Sequence, residues 1–219
     1  ADGTAVTPPL RQLMGPRTEM GFVAGIAVDP ERKEIYVVNN DIEDRLVVFG
    51  YEDQGDALPR RVLYVPHQAW GLAVNRKRRE LIVSVQSDNV LMFYRQEAER
   101  FEAPLRVIGG INTGLADPRG VAVAEESQEV FVATHGNWRD IPPSYHYQAG
   151  ATDASHQASE PMMGGRFHPP SIVVYPADGG GNVRPRRIIQ GERTRLNWPM
   201  GIAVDEVHQD CLLYTSPSP

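Results

Sequence analysis

The chain has 219 residues, 41% of them hydrophobic and 23% charged, the balance of an ordinary folded domain. A formal net charge of −6 and a pI near 5.5 disfavour general attraction to nucleic acid. No stretch approaches the ~18 consecutive apolar residues of a membrane helix, so no membrane span lies within the sequence.

In chain order, Ala1-Asp2-Gly3 echoes the turn sequence Ala177-Asp178-Gly179, and no initiator Met precedes it. Residue 1 is therefore expected to sit inside a repeat. The signature Pro-x-Arg-x-Leu/Ile-x-Gly-x-x-Thr-x-Leu/Met follows at 9–20 and recurs at 104–115 and 185–196. Between its copies runs a second phrase: Gly25-Ile26-Ala27-Val28, Gly71-Leu72-Ala73-Val74, Gly120-Val121-Ala122-Val123 and Gly201-Ile202-Ala203-Val204. The phrase glycines are 46, 49 and 81 residues apart.

Each unit carries four short apolar runs. The first has them at 25–28, 35–38, 46–49 and 62–65; the second at 71–74, 81–85, 90–94 and 105–108. The third has them at 120–123, 130–133, 172–175 and 187–189. The runs are rich in Val, Ile, Phe and Tyr and are bounded by Pro, Gly, Asp and Asn, which reads as strand and not helix. Four antiparallel strands every 45–50 residues is the period of a β-propeller blade. A lone four-stranded sheet exposes two apolar faces and two edges, whereas radial stacking buries both faces.

The expected fold is therefore all-β: a partial β-propeller of four-stranded antiparallel blades, from a six-bladed parent. Blade units fall at 21–65, 69–108 and 118–189. The final strand of a preceding blade is expected at 9–14 and the first strand of a next blade at 200–205. About thirty residues are inserted between the second and third strands of unit three, at 138–170.

The tail Cys211-Leu212-Leu213-Tyr214-Thr215-Ser216-Pro217-Ser218-Pro219 departs from the pattern of the earlier second strands. It looks like a translated sequencing adapter, as at the edge of a contig in a metagenomic assembly. The other reading is a genuine strand followed by a Ser/Pro tail. Cys211 is the only cysteine, so redox compartment is not indicated.

Arg60-Arg61, Arg76-Lys77-Arg78-Arg79 and Arg184 with Arg186-Arg187 form basic clusters, the second of them in the turn between a first and a second strand. A solvated turn is the favoured reading, a phosphate patch the other. Gly179-Gly180-Gly181 lacks the Lys-Ser/Thr of a phosphate-binding loop, and no Gly-x-Ser-x-Gly nucleophile elbow occurs.

Pro118-Arg119-Gly120-Val121-Ala122-Val123, with Glu129-Val130-Phe131-Val132-Ala133 and Ser171-Ile172-Val173-Val174-Tyr175, resembles the NHL-repeat pattern. Pro199-Met200-Gly201-Ile202-Ala203-Val204-Asp205 is similar to its opening phrase. The resemblance covers residues 1 to about 210 and implies a propeller. It leaves function open, since NHL-type propellers include protein- and RNA-binding modules, extracellular sensor domains and a peptide-amidating lyase. Related six-bladed propellers include metal-dependent lactonases and the virginiamycin lyase type, so fold licenses no activity.

In the usual propeller course, loops leading into the first strand and joining the second to the third share one face around the axis, where ligand sites gather. That face is expected to carry Asn39, Asn40 and Asp41 from unit one, and Trp70, Gln86, Ser87 and Asp88 from unit two. Unit three supplies Arg119, Thr134, His135 and Asn137, and the next opening Trp198 and Met200. Such a mixture suits a polar ligand or a hard cation such as calcium, although Asn and Asp also satisfy turn backbone by themselves. His135, His146, His156 and His168 lie in or beside the insertion and could hold zinc. Their separations of 11, 10 and 12 residues match no compact ligand motif, so they converge only if the loop folds back. Asp88 with His135 is a further acid–base candidate.

The expected function is a non-catalytic ligand- or protein-binding scaffold within an exported bacterial protein, with a protein or small polar ligand on the propeller face. The competing expectation is a metal-dependent lactonase or lyase with the insertion as lid.

Overall fold

A computed structural model of the chain describes residues 8–138 and 166–215. Most of the insertion, with His146 and His156, lies outside the described residues. The fold is all-β. The first sheet has the order β1 (Phe22–Asp29), β2 (Glu34–Asn40), β3 (Arg45–Gly50), β4 (Arg61–Tyr64). The second repeats it with β5 (Ala69–Asn75), β6 (Glu80–Val85), β7 (Val90–Arg95) and β8 (Arg106–Gly109). In the third, β9 (Pro118–Ala124) and β10 (Glu129–Thr134) precede a two-stranded ladder of β11 (Asn137–Trp138) with β12 (Arg166–Phe167). The third sheet is completed by β13 (Ser171–Pro176) and β14 (Arg187–Gln190). A fourth sheet holds β15 (Pro199–Asp205) and β16 (Asp210–Thr215).

The period-2 alternation of each second strand explains the stacking. Leu81 and Val83 of β6 pack toward the first sheet, with Tyr36, Val38, Leu46 and Leu63. Ile82, one residue out of phase, packs the other way with Phe93, Ile108, Val130, Val132 and Tyr175. Successive side chains leave a strand on opposite faces, so a run apolar at every position is satisfied only between two neighbouring sheets. The core therefore sits between blades and not within any one of them.

The phrase glycines set how closely the innermost strands approach. A Cβ on Gly25 would lie 2.4 Å from the carbonyl oxygen of Trp70, one on Gly71 2.1 Å from that of Arg119, and one on Gly120 2.7 Å from that of Met200. Each glycine thus receives the backbone of the next blade, and β1, β5, β9 and β15 stand side by side around a hub.

The twelve-residue signature is the link between blades. In its second and third copies the Arg opens the fourth strand and pairs with the Glu that opens the second strand of the same blade, Arg106 with Glu80 and Arg187 with Glu129; in the first blade Arg61, outside the signature, pairs with Glu34 in the same way. The signature's Leu/Ile position makes a parallel bridge to the next blade, Ile108 to Gly181. Its Thr donates to the carbonyl of its Gly and accepts from the amide two residues on, as in Thr113 with Gly110 and Leu115. Thr18 and Thr194 repeat both bonds.

Residues 9–14, expected as a strand, form no ladder. A fourth strand pairs with a third, and among the described residues none lies beside them. They keep only the inter-blade link: Leu13 bridges Gly55 in parallel, with Gly55 N donating to Gln12 O. At the other end, β16 pairs with β15 as β2 does with β1, Val204 opposite Cys211 matching Val28 opposite Ile35. Such pairing is made by backbone groups and asks little of side chains. The basic clusters face carboxylates: Arg60 meets Asp53, Arg76 Glu125, Lys77 Glu126, Arg78 Glu80 and Arg79 Glu97.

Candidate functional site

Three equivalent positions of each blade point to the same end of the hub. Immediately before the phrase glycine stand Trp70, Arg119 and Met200. Three residues before it stand Gln68, Asp117 and Trp198, all left-handed, with φ of 62°, 57° and 46°. Immediately after β2, or at its end, and after β6 and β10 stand Asn40, Gln86 and His135. A left-handed backbone is disfavoured for non-glycine residues, most of all for one as bulky as Trp. The conformation also recurs at the opposite end of the blades, at Lys33, Arg79, Gln128 and Gln209, so it belongs to the repeat and not to one end.

The side chains form a continuous constellation across the blades. Trp70 meets Phe22 edge to face at 6.1 Å between ring centroids and donates its indole N–H to Oε1 of Gln86. The guanidinium of Arg119 lies over the Trp70 ring, 4.1 Å from its centroid. Its Nε stands 2.9 Å from Oδ1 of Asp117, as a charge pair without hydrogen-bond alignment. Asp117 also accepts from Nδ2 of Asn137 at 2.9 Å and has Nδ1 of His135 at 3.6 Å from Oδ2. The amide of Asp117 is held by Asn89. The His135 ring packs 5.1 Å from that of Trp198, tilted by 43°. Beneath the constellation a cavity of about 310 Å³ runs down the hub, lined by Trp70, Arg119 and Met200 together with Ile26, Leu72 and Val121.

Electrostatics follow from burial. Removal from water pushes the Asp117 carboxyl up, but His135, Arg119 and Asn137 outweigh it and hold the group below the usual carboxylate range. For Arg119 burial wins: the guanidinium pKa is lowered despite the charges of Asp117 and Asp41. Arg119 and His135 are each more than nine-tenths buried. Among the described residues neither ring nitrogen of His135 finds a hydrogen-bond partner, nor does either side-chain polar atom of Asn40. Buried polar atoms are ordinarily satisfied, so these orphans gather attention to the same end of the hub.

Of the expected face residues, Trp70, Gln86, Arg119, His135, Asn137 and Trp198 join this constellation. Asn39 serves the backbone instead, accepting from Gly21 N and donating to Glu19 O. Thr134 bonds Ser171. Asp41 is exposed beside His67, 3.8 Å away. Ser87 donates to Asp88, and the carboxylate beside His135 is Asp117. His168 lines a separate pocket with Thr134 and Trp138. Among the described residues no three His, Cys, Asp or Glu side chains gather as a metal site. The sequence reading passed over Asp117, the centre of the constellation. Its signal was positional: it occupies the place of Gln68 and Trp198, three residues ahead of a phrase glycine.

No family model matches the chain, and no curated protein matches it in sequence. Solved structures do match. A functionally unknown protein from Desulfotomaculum acetoxidans is similar with a TM-score of 0.58 at 12% identity, over 88% of this chain and 49% of that one. The structure of a nidogen/laminin complex gives 0.54 at 16%, over 87% and 55%. Myxococcus xanthus glutaminyl cyclase gives 0.50 at 13%, over 88% and 67%. The likeness is one of fold, and it is propeller-like. The chain spans about half the length of the first two.

Proposed function

We propose that the chain belongs to a non-catalytic binding propeller of the NHL type, which takes a small polar ligand or a segment of a partner protein at the mouth of its hub. The observation carrying this reading is the Trp70–Arg119–Asp117–His135–Trp198 constellation. It is assembled from three consecutive blades, braced by stacking and ion pairing, and placed over a cavity of ligand size. Its one buried acid is committed to Arg119, Asn137 and His135. A carboxyl held low by such partners is a poor proton carrier near neutral pH. A metal-dependent lactonase or lyase would need ligands meeting from several blades, and no observation on the described residues favours it.

The experiment is ligand-induced stabilisation, followed as a thermal melt, across small polar compounds and short peptides, with wild type, Trp70→Ala and Trp198→Ala compared. Compounds that stabilise the wild type should lose at least about tenfold in affinity in both variants, as expected for removing an aromatic wall. Equal binding in the variants would move the site elsewhere. Lactone hydrolysis, or stoichiometric calcium or zinc surviving dialysis, would replace this reading with the enzymatic one.

A further inference from the structure

Arg119 offers more than a scaffold contact. Its face is covered by Trp70 and its Nε edge by Asp117, while the two terminal amino groups have no partner among the described residues. A guanidinium fixed on one face and one edge presents its remaining edge as a rigid fork, the geometry that receives a planar oxyanion through two parallel hydrogen bonds. The immobilisation that ordinarily opposes such binding is already met by stacking.

Charge accounting points the same way. Asp117 divides its carboxylate among Arg119, Asn137 and His135, and the direction of the Arg119 shift shows a cation short of compensation. Orphaned amide and imidazole groups on Asn40 and His135 occupy equivalent positions of the first and third blades. The facing charges that oppose an anion are Asp117 itself and Asp41, whose field reaches Arg119.

We infer that the mouth of the hub binds a small molecule through an oxyanion group, a carboxylate or a phosphate, received by the free edge of Arg119 with Trp70 as its wall. This rests on the mouth being a ligand site, as proposed above, and adds the chemical class.

Calorimetric titration of the full chain at matched ionic strength tests it, with glutarate, inorganic phosphate, choline and trehalose as probes. Glutarate or phosphate should bind saturably, and choline and trehalose should not; which of the two anions binds more tightly identifies the source of the oxyanion. Arg119→Gln should weaken the anion at least ~10-fold, the loss expected for hydrogen bonds to a charged group. Arg119→Lys keeps the charge without the fork and should fall between, which covers the case of a poorly folded Gln variant. Asp41→Asn should tighten binding by removing an opposing charge, and the surface variant Arg186→Gln should leave it unchanged. Binding of choline or trehalose but of neither anion, with loss in Trp70→Ala, would overturn this inference while leaving the binding mouth standing. Anion binding indifferent to Arg119→Gln would overturn it too, as would no binding by any probe.

Discussion

At the residue scale, Gly71 shows why small residues recur beside the hub. The carbonyl of Arg119 stands where its Cβ would be, 2.1 Å away, with the Ser84 hydroxyl at 2.8 Å. Backbone cannot yield as a flexible side chain does, so Gly71→Ala should destabilise by about 1–3 kcal/mol, the range for overpacking a core, and urea denaturation reads this directly. The sequence showed these glycines as periodic marks, and the small Ala and Gly of the phrase as signs of crowding. It could not show that the obstruction is the carbonyl of the next blade. Glu34 carries a different consequence. Burial raises its pKa, but Arg61, Tyr36 and Arg32 outweigh it and bring the carboxyl down to about 2. A group whose folded pKa is depressed contributes stability above its unfolded pKa and loses it as protons return. Stability should therefore fall as pH drops from about 4.5 towards 2, a loss on the order of 3 kcal/mol from this group. In Glu34→Gln the acid limb of the stability profile should be shallower, and melts taken between those pH values would show it.

At the scale of elements, the signature divides its labour among strand, turn and neighbour. Thr113 is fully buried and closes the crossover by bonding both Gly110 O and Leu115 N. Thr113→Val keeps the shape and removes both bonds, and should cost about 1–3 kcal/mol in a chemical melt. The Glu80–Arg106 pair is nearly buried and bidentate, at 2.6 and 2.9 Å. The same guanidinium lies over Phe93, 3.9 Å from its ring centroid. Removing one partner of such a pair leaves the other uncompensated, so Glu80→Ala should be destabilising by about 3–5 kcal/mol. Hydrogen exchange should rank the strands by their cover: β6, buried along its length, slowest, and β14 and β16, exposed along nearly all of theirs, fastest. Apolar runs located the strands well because each blade repeats the same period. The failure of residues 9–14 to form a ladder was not visible in them, since their signature is intact and a ladder needs a neighbour as well as a sequence.

At the scale of the molecule, architecture was far more legible than the site, and the reason is physical. Sheet stacking depends on many apolar positions averaged over repeats, so Leu72, Val121 and Ile202 announce themselves. The mouth depends on single polar residues whose meaning comes from what lies across the hub. Trp70, Arg119, His135 and Trp198 could be named from their places in the loops, yet the stacking of Arg119 on Trp70 joins residues from different blades. Asp117 was hidden because an Asp before Pro118 reads as an ordinary turn. Asn39, a candidate from the same kind of position, spends its amide on the backbone of Gly21 and Glu19, which its place in the sequence does not announce. The mouth exists only if consecutive blades place equivalent residues at one hub. Methyl-labelled NMR tests that most directly, through nuclear Overhauser contacts among Ile26, Leu72, Val121 and Ile202, all of which line the hub cavity. Contacts linking Ile26 to Leu72, Leu72 to Val121 and Val121 to Ile202, in that order around the axis, are the expected result. Absence of the Leu72–Val121 contact, or contacts that skip a blade, would contradict the arrangement and the mouth built on it.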